Sequence, residues 1–371
     1  MLRTAIHKWE RKLARRDTRR SIAEFDWGLE FLREAVAEQR VSAEGIFTSS
    51  QAFDSSLSVD AARQIVLEFN RRAIAESSRF FEARPVSGYS LDVDWLSFPS
   101  PIQTPYTENN TADARYFPVP SRAGDRNGVP EHEAERARGR AVVVLPQWNA
   151  DIEGHVALCN LLNRFGIAAM RLSLPYHDRR LPAGCLRADY LVSPNVGRTL
   201  QGCLQAVLDT RAMIDWLIAR GYSRIGILGT SIGSCIGFLT LVHDKRLTVA
   251  VFNHVSSYFG DVVWEGLTTA HVRQGLEPAL TGPDVRKVWA AISPNSYVPL
   301  LASDARRCLM ISARYDLSFT PELSELLFEE CRRYDVNFEK RFIHCGHYSL
   351  GESPFKYLAA YLITSYFRRY L

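Results

Sequence analysis

A chain of 371 residues with 46% hydrophobic content carries enough apolar material for a large core, in one decorated α/β domain or in two domains. Its formal net charge of +4 is small for that length and argues against a nucleic-acid binder. Seven scattered cysteines with no C-x-x-C pair argue against a disulfide framework or a zinc site, and nothing else suggests a metal or an organic cofactor.

Residues 1 to about 85 read as helical. The first twenty are strongly basic, with Arg3, Lys8, Arg11, Lys12, Arg15, Arg16, Arg19 and Arg20 against Glu10 and Asp17. Ile6, Trp9 and Leu13 recur among them at helical spacing. That pattern suits a surface helix laying one stripe on its own domain, with peripheral contact to anionic lipid as the alternative. No secretory segment and no run of 18 apolar residues is present, so a soluble, reducing, cytoplasmic setting is expected, peripheral to the inner membrane surface if the basic helix touches lipid.

Two β-like runs, 93–98 and 114–119, flank a segment rich in turn formers and predict an antiparallel pair. The polar stretch 121–140 reads as a surface loop. From residue 140 onward strand and helix alternate. The β-branched run Ala141-Val142-Val143-Val144-Leu145 has the pattern of a strand buried on both faces. A helix over 153–165, a strand over 167–174, a long loop over 175–195 and a helix over 199–220 follow. Strands are then expected at 225–228, 248–252, 308–312 and 338–343, with a closing helix over 355–369. Thr320 and Pro321 suit the cap and first position of another helix. This alternation predicts an α/β fold with a mostly parallel, doubly wound sheet. The domain reading is a helical N-terminal extension (1–88) on a catalytic domain (89–371).

The run Gly229-Thr230-Ser231-Ile232-Gly233 closes the strand over 225–228 and opens a helix. A G-x-S-x-G sequence between strand and helix is the nucleophile elbow, a sharp turn presenting a serine. Asp316 stands just past the strand over 308–312, and His344 and His347 follow the last strand. The chain resembles the α/β-hydrolases over roughly residues 90 to 371. In that superfamily the catalytic set runs serine, acid, histidine along the chain. The resemblance implies Ser231 as nucleophile, Asp316 as acid ahead of Asp304 and Asp335, and His347 as base ahead of His344. It also implies an oxyanion hole from Ile232 and from the turn after the first parallel strand. That turn holds Pro146-Gln147-Trp148-Asn149 where many members have His-Gly. Trp148 is the expected second donor, with Gln147 and Asn149 as alternatives.

Two further segments are expected to shape the substrate site. The loop Pro175-Tyr176-His177-Asp178-Arg179-Arg180 carries cations that would either meet an anionic group or stand in solvent. The insertion over 255–298 holds enough apolar residues for a helical cap. Asn253 and His254, at a strand end, read as local hydrogen-bonding groups. Leu145 to Asp151, Leu174 to His177, Ser193 to Thr199, and Phe25-Asp26-Trp27-Gly28 are similar to bacterial relatives of abhydrolase domain-containing protein 18, a likeness that implies a lipid-type or other ester substrate. The expected activity is that of an esterase or acyl hydrolase working through an acyl-serine on a small-molecule, perhaps lipid-like, ester. A peptidase or amidase, an acyltransferase and a non-catalytic binding protein on the same fold are the competing readings.

Overall fold

The computed structural model describes residues 2–43, 58–119 and 139–371. The expected loop at 121–140 falls, apart from its last two residues, outside the described ones. Among the described residues four helices open the chain: α1 (Leu2–Ala14), α2 (Leu29–Ala37), α3 (Val59–Ala75) and the single turn α4 (Ser77–Phe80). Nine strands then form one sheet: β1 (Ser90–Asp92), β2 (Trp95–Pro99), β3 (Thr111–Phe117), β4 (Arg140–Leu145), β5 (Ala168–Leu172), β6 (Arg224–Thr230), β7 (Leu247–Asn253), β8 (Arg307–Ala313) and β9 (Phe338–Ile343). Their order is β1-β2-β3-β5-β4-β6-β7-β8-β9. The strands β4 to β9 run parallel, and β1 to β3 join antiparallel at the edge. The expected antiparallel pair is therefore a three-stranded meander. The three residues of β1 are too few for an apolar alternation to show in the sequence.

Alternate residues of β4 enter different cores, which is why its sequence is apolar throughout. Ala141, Val143 and Leu145 join the larger cluster, and Val142 and Val144 join the smaller one. The larger cluster includes residues of the helices Val196–Ala219, Ile232–His243 and Pro321–Arg333, together with α2, α3 and the insertion after β7. The smaller one is closed by Val156–Arg164 and Phe355–Tyr370. Gly226 in β6 makes room for the second layer, since a Cβ there would lie 2.7 Å from the Phe367 ring.

The insertion folds as three short helices, Phe259–Glu265, Ala270–Leu276 and Gly282–Val288, followed by 3₁₀ turns. Trp289, Val285 and Leu276 are buried within it and belong to the larger core.

Residues 25–28 and 193–199 are stitched together. Val196 and Gly197 donate to the Asp26 and Trp27 carbonyls at 2.9 and 3.0 Å, and Asn195 Nδ2 donates to Asp26 Oδ2 at 2.7 Å. Gly28 has φ +59°, and a Cβ on it would sit 2.0 Å from Asn195 Oδ1. A side chain at that position is thus excluded by both backbone conformation and space.

Below the sheet's antiparallel edge lies a fully buried ion pair. Arg180 Nη1 meets Asp209 Oδ2 at 2.8 Å, with neither side chain exposed. Arg180 also donates to the carbonyls of Ser173 and Asn109, and Ser100 Oγ donates to Asp209 Oδ1. This corrects the expectation for Arg180, which faces neither a substrate anion nor solvent, whereas Arg179 stands in solvent as one reading had it, its guanidinium over the Trp95 ring at 4.1 Å. Removing one partner leaves a buried charge uncompensated. Arg180→Met is expected to destabilise the fold by about 3–5 kcal/mol in a urea titration, with part of the loss recovered by Arg180→Met/Asp209→Asn. A cost below about 1 kcal/mol would contradict this account.

Candidate active site

The elbow is strained in the way its sequence demands. Ser231 has φ +57° and ψ −120°, a conformation costly for a residue with a Cβ. It directly precedes the helix Ile232–His243. The flanking glycines are sterically required. A Cβ on Gly229 would lie 2.1 Å from the Gly233 carbonyl oxygen, and one on Gly233 would lie 2.2 Å from the Leu145 oxygen and 2.6 Å from the Pro146 oxygen. The second contact shows how closely the turn after β4 is pressed against the elbow. Ser231 N donates to the Asn253 carbonyl at 2.8 Å, which ties the turn to the end of β7.

Three loops at the C-terminal ends of parallel strands converge on Ser231. Its Oγ lies 3.2 Å from His347 Nε2, and His347 Nδ1 lies 3.0 Å from Asp316 Oδ2. A carboxylate only accepts, so Nδ1 carries the proton and Nε2 is left to accept from the serine. Asp316 is buried, and its other oxygen accepts from the backbone N–H of Ser318 at 2.7 Å and of Phe319 at 2.9 Å. Burial alone would raise this carboxyl, but the His347 and His254 imidazoles beside it hold it well below the usual carboxylate range. Burial pulls His347 down, but Asp316 and then Glu10 together pull it up further, so its imidazole sits above its ordinary value. The Phe319 ring stacks on the imidazole with centroids 5.3 Å apart.

The competing candidates lie elsewhere. His344 is exposed, Asp304 is held by Arg306 and Lys245, and Asp335 is exposed at the end of a helix. Of the turn after β4, Asn149 N donates to His177 Nε2 at 2.9 Å, and the Trp148 indole donates to the Ala188 carbonyl at 2.8 Å. The Trp148 ring stacks on His271 with centroids 5.6 Å apart, so this side chain is a wall of the site. The Ile232 amide begins a helix and has no intrahelical acceptor.

His254 belongs to the site more closely than its strand-end position indicates. Its Nδ1 is 2.9 Å from Asp316 Oδ2, off the direction of a hydrogen bond, and its ring centroid is 4.3 Å from that of His347. Burial, and then the neighbouring His347, keep it below its ordinary value. Among the described residues, His254, Asp316 and His347 are the group whose metal-ligating atoms converge, within 4.8 Å of one another. Their separations are those of imidazoles against a shared carboxylate, and serine–histidine chemistry calls on no metal.

Two cavities meet at Ser231. The larger, about 1030 Å³, is a trough between the helices Val156–Arg164 and Phe355–Tyr370. Leu158, Leu161 and Ile363 line it, with Arg20, Arg187 and Lys356 among its cations. Arg187 and Arg20 both pair with Asp17, and Arg187 also with Asp189. The smaller, about 40 Å³, lies under the insertion against Ile232, Phe259, Val263 and Phe319. Sequence reasoning missed the Arg20–Asp17–Arg187 group, because partners 170 positions apart leave no local pattern.

No protein-family model matches the chain, and no curated protein does. Solved structures resemble it in fold. Uncomplexed Pyrococcus horikoshii acylaminoacyl peptidase matches at 14% identity and TM-score 0.53, over 79% of this chain and 43% of that one. An acylaminoacyl peptidase in complex with Z-Gly-Gly-Phe-chloromethyl ketone matches at 12% identity and TM-score 0.53, over 77% and 49%. A lipase in its open form matches at 11% identity and TM-score 0.50, over 74% and 97%. The chain spans less than half the length of the two peptidases. At such identities the likeness is one of fold, and the chain has the α/β-hydrolase fold.

Proposed function

We propose that this chain is a serine hydrolase of the esterase or acyl-hydrolase kind. The observation that carries this reading is the unbroken run of hydrogen bonds from Ser231 Oγ through His347 to Asp316, at the junction of two cavities. Ser231 Oγ attacks the acyl carbon as its proton passes to His347 Nε2, and Asp316 steadies the imidazolium through Nδ1–H. The oxygen of the tetrahedral intermediate is assigned to the backbone N–H groups of Ile232 and Trp148. The Trp148 assignment rests on the closeness of its turn to Gly233 and on the engagement of the Asn149 amide elsewhere. His347 then returns the proton to the departing alkoxide. Water, deprotonated by the same imidazole, cleaves the acyl-serine and frees the carboxylic acid.

The insertion after β7 is read as a cap, since it roofs the smaller cavity. The apolar trough and its cations suit an amphiphilic, lipid-like ester with an anionic group. The closer likeness to bacterial relatives of abhydrolase domain-containing protein 18 is part of the same reading. Residues 1–88 are read as an extension on the catalytic domain. Seven free cysteines fit a reducing, cytoplasmic setting, and no helix among the described residues is long and apolar enough to cross a membrane.

A fluorophosphonate probe tests the reading directly: the adduct should map to Ser231 by peptide mass. An unlabelled wild-type protein that hydrolyses neither a p-nitrophenyl ester series nor phospholipid esters would favour the non-catalytic reading. Turnover of aminoacyl amides alone would favour the peptidase.

Membrane contact is proposed as electrostatic. Ile6 and Leu13 are buried on the protein itself, whereas Arg3, Lys8, Arg11, Lys12 and Arg15 are exposed on α1 and just beyond it. Sedimentation with anionic vesicles is expected at low salt and should be lost as ionic strength rises. Equal sedimentation of a variant with these five residues changed to Gln would refute the contact.

A further inference from the structure

Glu10 is charged, lies in α1, and is fully buried. Such a residue needs partners. Those partners stand more than three hundred residues away, immediately after His347. Tyr348 N–H donates to Glu10 Oε2 at 2.9 Å, and Ser349 N–H donates to Oε1 at 2.8 Å. Gly346 completes the fit from the other side, since a Cβ there would lie 2.3 Å from the Glu10 carboxyl carbon. Neighbouring contacts seat the helix along the same loop: Arg16 pairs with Glu352 at 3.2 Å, Arg20 donates to the Tyr348 hydroxyl at 2.6 Å, and the Trp9 ring packs near Phe355.

We propose that Glu10 is a positioning residue for the base, and that α1 is an integral part of the active site. The loop holds a single 3₁₀ turn, Ser349–Gly351, and the Gly346 N–H donates to Ser349 Oγ at 2.8 Å, but these bonds shape the loop without anchoring it to the rest of the fold. Here both amides that follow His347 are fastened to one rigid helix by hydrogen bonds to a charged acceptor, the stronger kind. The imidazole is thereby held at 3.2 Å from Ser231 Oγ from the carbonyl side of the loop, while Asp316 orients it from the ring. A misplacement of 1 Å at such a base costs on the order of a hundredfold in rate.

The proposal rests on the hydrolase reading above. Glu10→Gln keeps the size of the side chain, but its amide has one oxygen to accept with and turns N–H donors toward the other N–H. The expected result is a fall in kcat of about tenfold or more on a short p-nitrophenyl ester the wild type cleaves, with a smaller change in KM, since residues 346–351 do not line the smaller cavity. A second signature is the acid limb of the pH profile. His347 is faced by Asp316, His254 and Glu10, and losing the Glu10 charge should move that limb to lower pH. Gly346→Ala attacks the same contact from the loop and is expected to cost a similar factor. In a Glu10→Ala background the added methyl has room, so the two effects should not multiply.

Wild-type kcat and an unmoved acid limb in a folded Glu10→Gln protein would overturn the proposal, as would multiplicative losses in the Glu10→Ala/Gly346→Ala cycle. If Glu10→Gln fails to fold, the Gly346→Ala kinetics decide. Amide exchange separates this from a failure of the hydrolase reading. Should the wild type prove inert toward esters and the probe, unchanged protection of the Tyr348 and Ser349 amides in Glu10→Gln would still refute the clamp, and lost protection would uphold it.

Discussion

Ser231→Ala is expected to lower kcat on any ester substrate by about 10⁴-fold or more, with KM and the melting temperature little changed. The substitution removes the hydroxyl proposed to form the acyl bond and leaves the rest of the site standing. The nearest other hydroxyl on the elbow helix cannot stand in, because Ser234 Oγ is committed to the carbonyls of Gly229 and Asn253 at 2.9 and 2.7 Å. Some hydrolysis above background should persist, since the proposed oxyanion donors and the cavity are left in place. The strained φ of +57° at Ser231 is untouched by a change to alanine, so stability is a fair control. Turnover within tenfold of wild type, measured on protein free of contaminating esterase, would end the assignment of Ser231.

Asp316→Asn is expected to cost kcat about as much, by a different route. Asp316 Oδ1 is held by two backbone N–H groups, and the substituted amide can satisfy them only with its single carbonyl oxygen. Its NH₂ must then face His347 Nδ1 and force that nitrogen to accept. The imidazole proton moves to Nε2, where it points at Ser231 and can no longer receive a proton from it. The pH dependence separates this from simple misfolding. His347 must be neutral to act, so wild-type kcat/KM should fall as pH drops through its raised pKa. In Asp316→Asn the carboxylate that raises it is gone, so whatever rate remains should hold to lower pH. Stability moves the other way. The depressed carboxyl of Asp316 contributes stability that is present above the ordinary carboxylate pKa, roughly 4, and lost as pH falls toward the folded value. The wild type should therefore lose more stability than the variant in an acid titration between those limits.

The parallel sheet was legible because its strands are buried on both faces and leave continuous apolar runs, as in Ala141 to Leu145. The elbow was legible because its five residues are contiguous and the demand at Gly229 is local, although the demand at Gly233 comes from the distant turn after β4. Asp316 and His347 could be placed at strand ends by chain order, and the structure has both within hydrogen-bond reach of their neighbours. What escaped is what depends on distant partners. Arg180 looks like a surface cation until its partner Asp209 is found beneath it. His254 looks like a strand-end residue until the loop after β8 brings Asp316 to it. Glu10 looks like one acid in a basic helix, and only its lack of exposure, with Ile6 and Leu13 on the same buried stripe, shows where it points.

The tie between Glu10 and the Tyr348 and Ser349 amides also bears on synthesis. On the ribosome α1 emerges more than three hundred residues ahead of the loop that seats it. Until that loop appears, Glu10 lacks the two amides that satisfy it, and the elbow serine can form with no base opposite it. Nascent chains halted before residue 346 should therefore resist a fluorophosphonate, so reactivity would arrive only once the loop after β9 has emerged.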